Sequence, residues 1–209
     1  MTAPDDLKPA NPFEPEQAAD PIALFRAWLD EAARTEPNDP NAMALATATS
    51  EGRPSVRMVL LKQLDERGFS FFTNRESRKG TELQQNPQAA LCFHWKSLHR
   101  QVRVEGAVTE LPDAESDAYF HSRSYRSQIG ALASQQSRPL ASRDELERLA
   151  EQYSAQYPDE VPRPDYWRGF VLRPERIEFW EDGAYRLHNR IVFLRSHDGA
   201  SWECKRLFP

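Results

Sequence analysis

The residues whose types and spacing could do chemistry are densest near the C-terminal end, in Ile177-Glu178-Phe179-Trp180 and Arg186-Leu187-His188-Asn189-Arg190. In an extended chain, side chains two apart share a face, so Arg186, His188 and Arg190 would point one way and Leu187, Asn189 and Ile191 the other. Two guanidiniums flanking an imidazole are poorly suited to a core and well suited to an anionic ligand. The row follows an aromatic strand, with the turn residues Asp182 and Gly183 between them. It reads as a hairpin carrying a charged ligand face.

Three further constellations carry cations. Val56-Arg57-Met58-Val59-Leu60-Leu61-Lys62 is apolar enough to predict a buried strand, so its two cations need partners unless the strand ends reach solvent. Strict alternation puts Arg57 and Lys62 on opposite faces, and a shared ligand then requires a bulge or has to span the strand end. Thr73-Asn74-Arg75-Glu76-Ser77-Arg78-Lys79-Gly80 is a basic strand-to-helix junction. Arg78 and Lys79 beside a helix N-terminus suit a phosphate; the alternative is a solvated first turn. The glycine spacing is not that of a P-loop. In Tyr119–Gly130, Tyr119 and Arg123 stand four apart on a helix and share a face, while Ser127 either continues that face or caps the next helix. These three make a second phosphate cradle, or an exposed face with an aromatic anchor. Gln101 and Ser134-Gln135-Gln136-Ser137 are polar and by themselves uninformative. There is no Gly-x-Ser-x-Gly elbow, Cys-His pair, metal-ligand spacing or suggestive carboxylate pair. The pattern favours binding a polyanion over acid–base hydrolysis, and an enzyme of this kind would rely on a cofactor.

The elements that must position these residues follow from periodicity. Residues 1–19, proline-rich and poor in aliphatics, are expected to be disordered. Asp20-Pro21 opens an amphipathic helix over 21–34. Strands are predicted over 42–49, 55–62, 69–73, 89–95 and 101–110, with a helix over 77–85 between the third and fourth. Helices are predicted over 113–122, 127–134 and 142–156, Ser142 and Glu145 forming a capping box. Strands return over 167–172, 176–180, 185–194 and 202–207. Short strands, then inserted helices, then strands describe a mainly β chain with peripheral helices, an antiparallel barrel-like sheet in one domain over 20–209. The 209 residues carry a net charge of −5. That is no basic footprint for nucleic acid, and no apolar run approaches the ~20 residues of a membrane span. The N-terminus lacks an apolar signal core, so the chain reads as cytoplasmic. Cys92, in an apolar run, reads as a buried thiol.

In this order the motifs resemble the pyridoxine/pyridoxamine 5′-phosphate oxidase family, over about residues 20–209. The segment Ile177–Arg190 looks like the family signature; Val56–Lys62, Ser77-Arg78-Lys79, Tyr119–Gly130 and Gln136-Ser137 match independently. The resemblance implies an FMN-binding split β-barrel, active as a homodimer with FMN at the subunit interface. The implied reaction oxidises pyridoxine or pyridoxamine 5′-phosphate to pyridoxal 5′-phosphate, with O2 giving H2O2 and the amine also releasing ammonia. By similarity, Arg57, Met58, Val59, Leu60, Leu61, Lys62, Phe72, Thr73, Arg78, Lys79, Gln101, Gln136, Ser137, Trp180 and Arg190 would contact FMN. Lys62, Tyr119, Arg123 and Ser127 would hold the substrate phosphate, and Arg186 and His188 would lie over its pyridine ring as the catalytic pair. Glu181 stands where the family often has glutamine, Asn189 where aspartate is commoner and Phe72 where tyrosine is frequent. Many members also close an Arg/Tyr segment over the substrate, whereas residues 1–19 contain neither residue. Two rival readings share the fold: a phenazine-biosynthesis-type flavin oxidase, and a non-enzymatic module carrying flavin or pyridoxal phosphate. The phosphate set at Lys62, Tyr119, Arg123 and Ser127 speaks against the first, and the Arg186–His188 pair against the second.

Overall fold

The computed structural model describes residues 20–199 and 201–209; the disorder expected of residues 1–19 lies outside them. Asp20 accepts the Ile22 amide at 2.8 Å and Pro21 takes the first helical position, starting α1 (Pro21–Thr35). There follow β1 (Ala42–Ala48), β2 (Pro54–Leu60), β3 (Gln63–Asp65), β4 (Gly68–Asn74), α2 (Arg78–Gln85), β5 (Gln88–Trp95) and β6 (Arg100–Glu110). Then come α3 (Asp113–Ser122), α4 (Tyr125–Ala133), α5 (Arg143–Gln156), β7 (Trp167–Glu181), β8 (Asn189–Arg195) and β9 (Trp202–Arg206). The strands pair antiparallel in the order β2-β1-β5-β6-β7-β4-β3, with β8 on β7 and β9 on β8. This is the predicted mainly β, antiparallel split-barrel class.

The split originates in β7. The strands expected over 167–172 and 176–180 are one strand, which meets β4 over Trp167–Leu172 and β8 over Arg176–Glu181. Between them Pro174 falls where no neighbour needs its missing N–H. Opposite, the β6 register shifts between Glu105 and Gly106, leaving Glu175 as the extra residue of a bulge. A Cβ on Gly106 would lie 2.0 Å from the Arg173 carbonyl oxygen, so only glycine permits this approach.

The inner face carries the core. Phe25 of α1 packs edge-on against Phe69 and Phe93 at centroid distances of 4.9 and 4.8 Å, and Trp28 meets Phe179 at 5.1 Å. A second apolar cluster joins Phe120, Ile129, Val161 and Trp167 beneath the helices inserted between β6 and β7.

Two burial expectations fail. β2 is not a buried strand but an edge strand, so Val56 and Met58 of its outer face are 67% and 64% exposed. Cys92 is half-buried rather than buried, because its row faces out of the barrel beside Ala44 and Arg103. Among the described residues no helix is long and apolar enough to cross a membrane.

Candidate active site

A cleft of about 930 Å3 opens where the end of β2, the end of β4 and helices α2 to α4 converge. β2 stops at Leu60 rather than running to Lys62, and the Lys62 amide turns aside to bond the Ser70 carbonyl at 2.9 Å. That turn resolves the opposite-faces objection: Arg57 and Lys62 line the same cleft, with Met58, Val59 and Leu60 between them. Phe72, Thr73, Lys79, Tyr119, Arg123, Ser127 and Gln136 complete the predicted residues found there. Leu61 instead turns its side chain into the core, 5% exposed.

One end of the cleft is built on the first turn of α2. Ser77 caps the helix, accepting the Gly80 amide. Lys79 is 7% exposed and reaches Gln136 Oε1 at 2.8 Å, Thr73 Oγ1 at 3.0 Å and Ser77 Oγ at 3.3 Å, all neutral oxygens. Burial, and then the charge of Arg57, push the ammonium down to about 8. A buried cation facing a cleft without its own carboxylate is an anion site by charge. Arg78 bonds Glu82 Oε1 at 2.9 Å and, with Ser137, lines an adjoining cleft of about 490 Å3 that shares Gln136.

The other end lies between α3 and α4. The Phe72 and Tyr119 rings stack at 4.0 Å and Trp167 continues the wall, 5.3 Å from Phe72. Phe72 can lie this way because its cross-strand neighbour is Gly169, where a Cβ would come within 2.6 Å of the ring. Arg123 stands over the Trp167 ring at 5.0 Å, and its Nη1 is buried without a hydrogen-bond partner. Burial pushes its guanidinium pKa down. α4 begins two residues earlier than predicted: Ser124, not Ser127, is its cap, and the two hydroxyls lie 2.8 Å apart in the first turn. Sequence reasoning missed Ser124 and Trp167; a serine directly before the helical pattern was the available signal for the first.

The C-terminal set is built elsewhere. The β7–β8 hairpin is present, but the predicted face of Arg186, His188 and Arg190 is not. Ala184–Arg186 forms a 3-10 turn in which Tyr185 and Arg186 take φ of 56° and 65°. Arg186 is therefore exposed and off the strand. His188 packs on Trp180 at 4.7 Å, its Nδ1 lying 2.9 Å from Asp182 Oδ1 and 3.2 Å from the Gly183 amide. Arg190 bonds the buried Glu178 at 2.8–2.9 Å and the Phe208 carbonyl at 2.9 Å. Glu178 also takes Arg103 at 2.5 Å and Arg176 at 2.7 Å. Burial would raise the Glu178 carboxyl, but hydrogen bonds from Arg190 and Arg103 outweigh it and lower its pKa. Gln101, Trp180 and Arg190 are direct cross-strand neighbours and form one outward-facing row. None of Gln101, Trp180, Arg186, His188 or Arg190 lines the first cleft.

The donor set suits a phosphorylated flavin: cations and hydroxyls at one end, backbone of an edge strand along the cleft, aromatic rings at the other. The orphaned Arg123 nitrogen is a cationic donor with no partner of its own, a feature that suits a second anion.

Two family profiles match the chain. One, described as pyridoxamine 5′-phosphate oxidase, covers residues 29–157; the other, described as pyridoxine 5′-phosphate oxidase C-terminal dimerisation region, covers residues 167–209. The pyridoxine/pyridoxamine 5′-phosphate oxidase of Rhodospirillum rubrum is 63% identical over 91% of this chain and 96% of its own length. That of Anaeromyxobacter dehalogenans is 58% identical over 95% and 100%. Among solved structures, PhzG from Burkholderia lata, in complex with tetrahydrophenazine-1-carboxylic acid, aligns with a TM-score of 0.88 at 34% identity, covering 97% of this chain and 100% of that one. A pyridoxamine 5′-phosphate oxidase-related, FMN binding protein from Nostoc punctiforme shares the fold, with a TM-score of 0.74 at 19% identity over 91% and 98%.

Proposed function

The chain belongs to the pyridoxamine 5′-phosphate oxidase family and is an oxidoreductase; on that premise we propose that it binds FMN and oxidises pyridoxine or pyridoxamine 5′-phosphate to pyridoxal 5′-phosphate. The observation that carries this reading is the gathering of two separate cationic cradles in one cleft, which is what two phosphorylated ligands require. Arg57, Arg78, Lys79, Thr73, Gln136 and Ser137 hold the flavin phosphate and its polar chain, and the Met58–Leu61 backbone lies along it. Lys62, Tyr119, Arg123 and Ser127 hold the substrate phosphate. Bound FMN supplies the hydride acceptor and passes the electrons to O2, giving H2O2, with ammonia released from the amine substrate. The protein's own contribution is orientation: phosphate clamps at both ends fix the substrate ring against the flavin, and the aromatic wall excludes water.

In this reading the chain works as a homodimer with FMN at the interface, and a second copy supplies Gln101, Trp180, Arg186, His188 and Arg190. The exposed Val56 and Met58 on β2, and the match of residues 167–209 to a dimerisation region, support it. Arg186 and His188 then lie over the substrate ring, near the carbon that loses hydride. The likeness to PhzG favours one rival, oxidation of a tricyclic carboxylate. The deciding experiment loads the purified protein with FMN, adds pyridoxine 5′-phosphate in air and follows pyridoxal 5′-phosphate together with peroxide. Matched formation of both is expected. Bound FMN without turnover would refute the substrate assignment, and phenazine precursors would then be tried.

A further inference from the structure

A buried carboxylate sits behind the cationic end of the cleft and has no role in the reading above. Glu82, in α2, is 3% exposed. Its Oε2 accepts from Thr47 Oγ1 and Ser55 Oγ, each at 2.5 Å, and lies 3.5 Å from Arg57 Nη2. Its Oε1 accepts from Arg78 Nε at 2.9 Å. Arg57 is in turn held by the same two hydroxyls: Nη1 donates to Thr47 Oγ1 at 2.6 Å and to the Leu45 carbonyl at 3.0 Å, and Nη2 donates to Ser55 Oγ.

The direction of these bonds matters. An ionised carboxylate only accepts, so both hydroxyl protons point at Glu82 and leave their lone pairs for the Arg57 N–H groups. Burial would raise the Glu82 carboxyl, but hydrogen bonds from Ser55, Thr47 and Arg78 outweigh it and hold it at about 2. The charge is thus present at any working pH. It also trims the local balance: Arg57, Arg78 and Lys79 against Glu82 leave a surplus of two positive charges, matching the nearly two negative charges of a phosphomonoester.

We propose that Glu82 is a positioning residue for the phosphate end of the cofactor: through Thr47 and Ser55 it fixes Arg57, and directly it fixes Arg78, so that both guanidiniums are aligned before the phosphate arrives. This rests on the FMN reading of the cleft. Charge counting alone predicts the opposite of positioning. Removing a negative charge beside an anion site should tighten the anion. In Glu82→Gln, by contrast, the amide N–H2 faces either a hydroxyl, turning its proton towards Arg57, or the Arg78 Nε–H, so one guanidinium loses its support in either orientation.

The experiment measures dissociation constants for FMN and for riboflavin, which lacks the phosphate, by quenching of flavin fluorescence on the ligand-free full chain. Wild type, Glu82→Gln and Thr47→Val are compared, with melting temperatures alongside. The expected result is FMN binding weakened at least tenfold in Glu82→Gln, riboflavin binding changed less than twofold, and a smaller loss of the same kind in Thr47→Val. Thr47→Val keeps the carboxylate and removes one of the two hydroxyl links, so it tests the idea even if Glu82→Gln fails to fold. Unchanged or tighter FMN binding overturns the proposal, and so does equal loss of both ligands, which would make Glu82 a support of the fold. A wild type that binds FMN no better than riboflavin would instead remove the phosphate cradle itself, and the proposal with it.

Discussion

Arg123→Ala separates a binding role from a structural one, because the two predict different things for the same residue. Arg123 has a guanidinium over Trp167 at 5.0 Å and a buried Nη1 with no partner. If its task is to hold the substrate phosphate, truncation removes one charge-assisted hydrogen bond, worth roughly 1.5–3 kcal/mol, and the KM for pyridoxine 5′-phosphate rises about 10- to 140-fold. The phosphate is remote from the reacting carbon, so kcat changes less than KM. Folding stability responds differently. The lost cation–π contact costs about 0.5–2 kcal/mol, while deleting a buried unsatisfied donor relieves about 1–3 kcal/mol, and the two oppose each other. The net lies between a loss of about 1 kcal/mol and a gain of about 2.5 kcal/mol, so Tm falls by no more than roughly 2–4 °C in a chain of this size. Initial rates against substrate concentration, with calorimetry on the same preparations, read both quantities. An unchanged KM would remove the second cradle. A large fall in Tm with the KM change abolished at low temperature would make Arg123 a packing residue.

Arg186→Ala is expected to lower turnover far more than bound flavin, since the exposed turn residue is assigned to the substrate ring; equal losses, read by absorbance and rate, would move it into the cofactor site. Lys79 sets a pH signature. Burial depresses its pKa to about 8 from 10.5, so its charge weakens the ligand-free fold below about 8, and the deficit disappears as pH rises from there towards 10.5. A bound phosphate restores the charge, so FMN binding at pH 8.5 should take up protons, seen as heats that vary with buffer ionisation enthalpy; equal heats in all buffers would contradict it. If sites form between copies, refolding Arg123→Ala together with Arg186→Ala should recover about a quarter of the wild-type sites at low substrate, the share that receives an intact cleft and an intact turn in a two-fold dimer. No recovery in mixtures would place both sets on one chain.

Local patterns made most elements legible. Asp20-Pro21 announces α1, the Ser142–Glu145 box announces α5, and alternation finds nearly every strand. The sequence signals fail where geometry depends on distant partners. The left-handed pair Tyr185-Arg186 breaks the predicted cationic face, and neither residue is the glycine, asparagine or aspartate that usually marks such backbone. Pro174 reads as a strand break until the bulge opposite Gly106 is known. Glu82 looks like one acidic residue in a polar helix; only the packing of α2 beside β1 and β2 brings Thr47, Ser55 and Arg57 to it. The cation motifs themselves were readable because charge needs no partner to be recognised, but which of them share a site was not.

The length of one strand supports the proposed division of the site between copies. Trp167, at the start of β7, walls the cleft; Trp180, thirteen residues on, carries the outward row of Gln101 and Arg190. At about 3.3 Å per residue these positions stand roughly 40 Å apart along the strand, less whatever the bulge at Glu175 bends away. β6 pairs with it from Phe170 to Glu181 and β4 from Trp167 to Leu172, so the strand cannot fold back on itself. A flavin nucleotide is much shorter than that contour length, and the C-terminal set does not line the cleft of its own chain. The Arg190 guanidinium is nevertheless pre-set by buried Glu178, and His188 is held against Trp180. Groups fixed in place at such a cost in desolvation, yet outside the cleft of their own chain, fit the proposal that they serve a ligand held by another. On the proposed reading a second copy completes the site, and the apolar outer face of β2 beside the cleft is the surface that copy would cover.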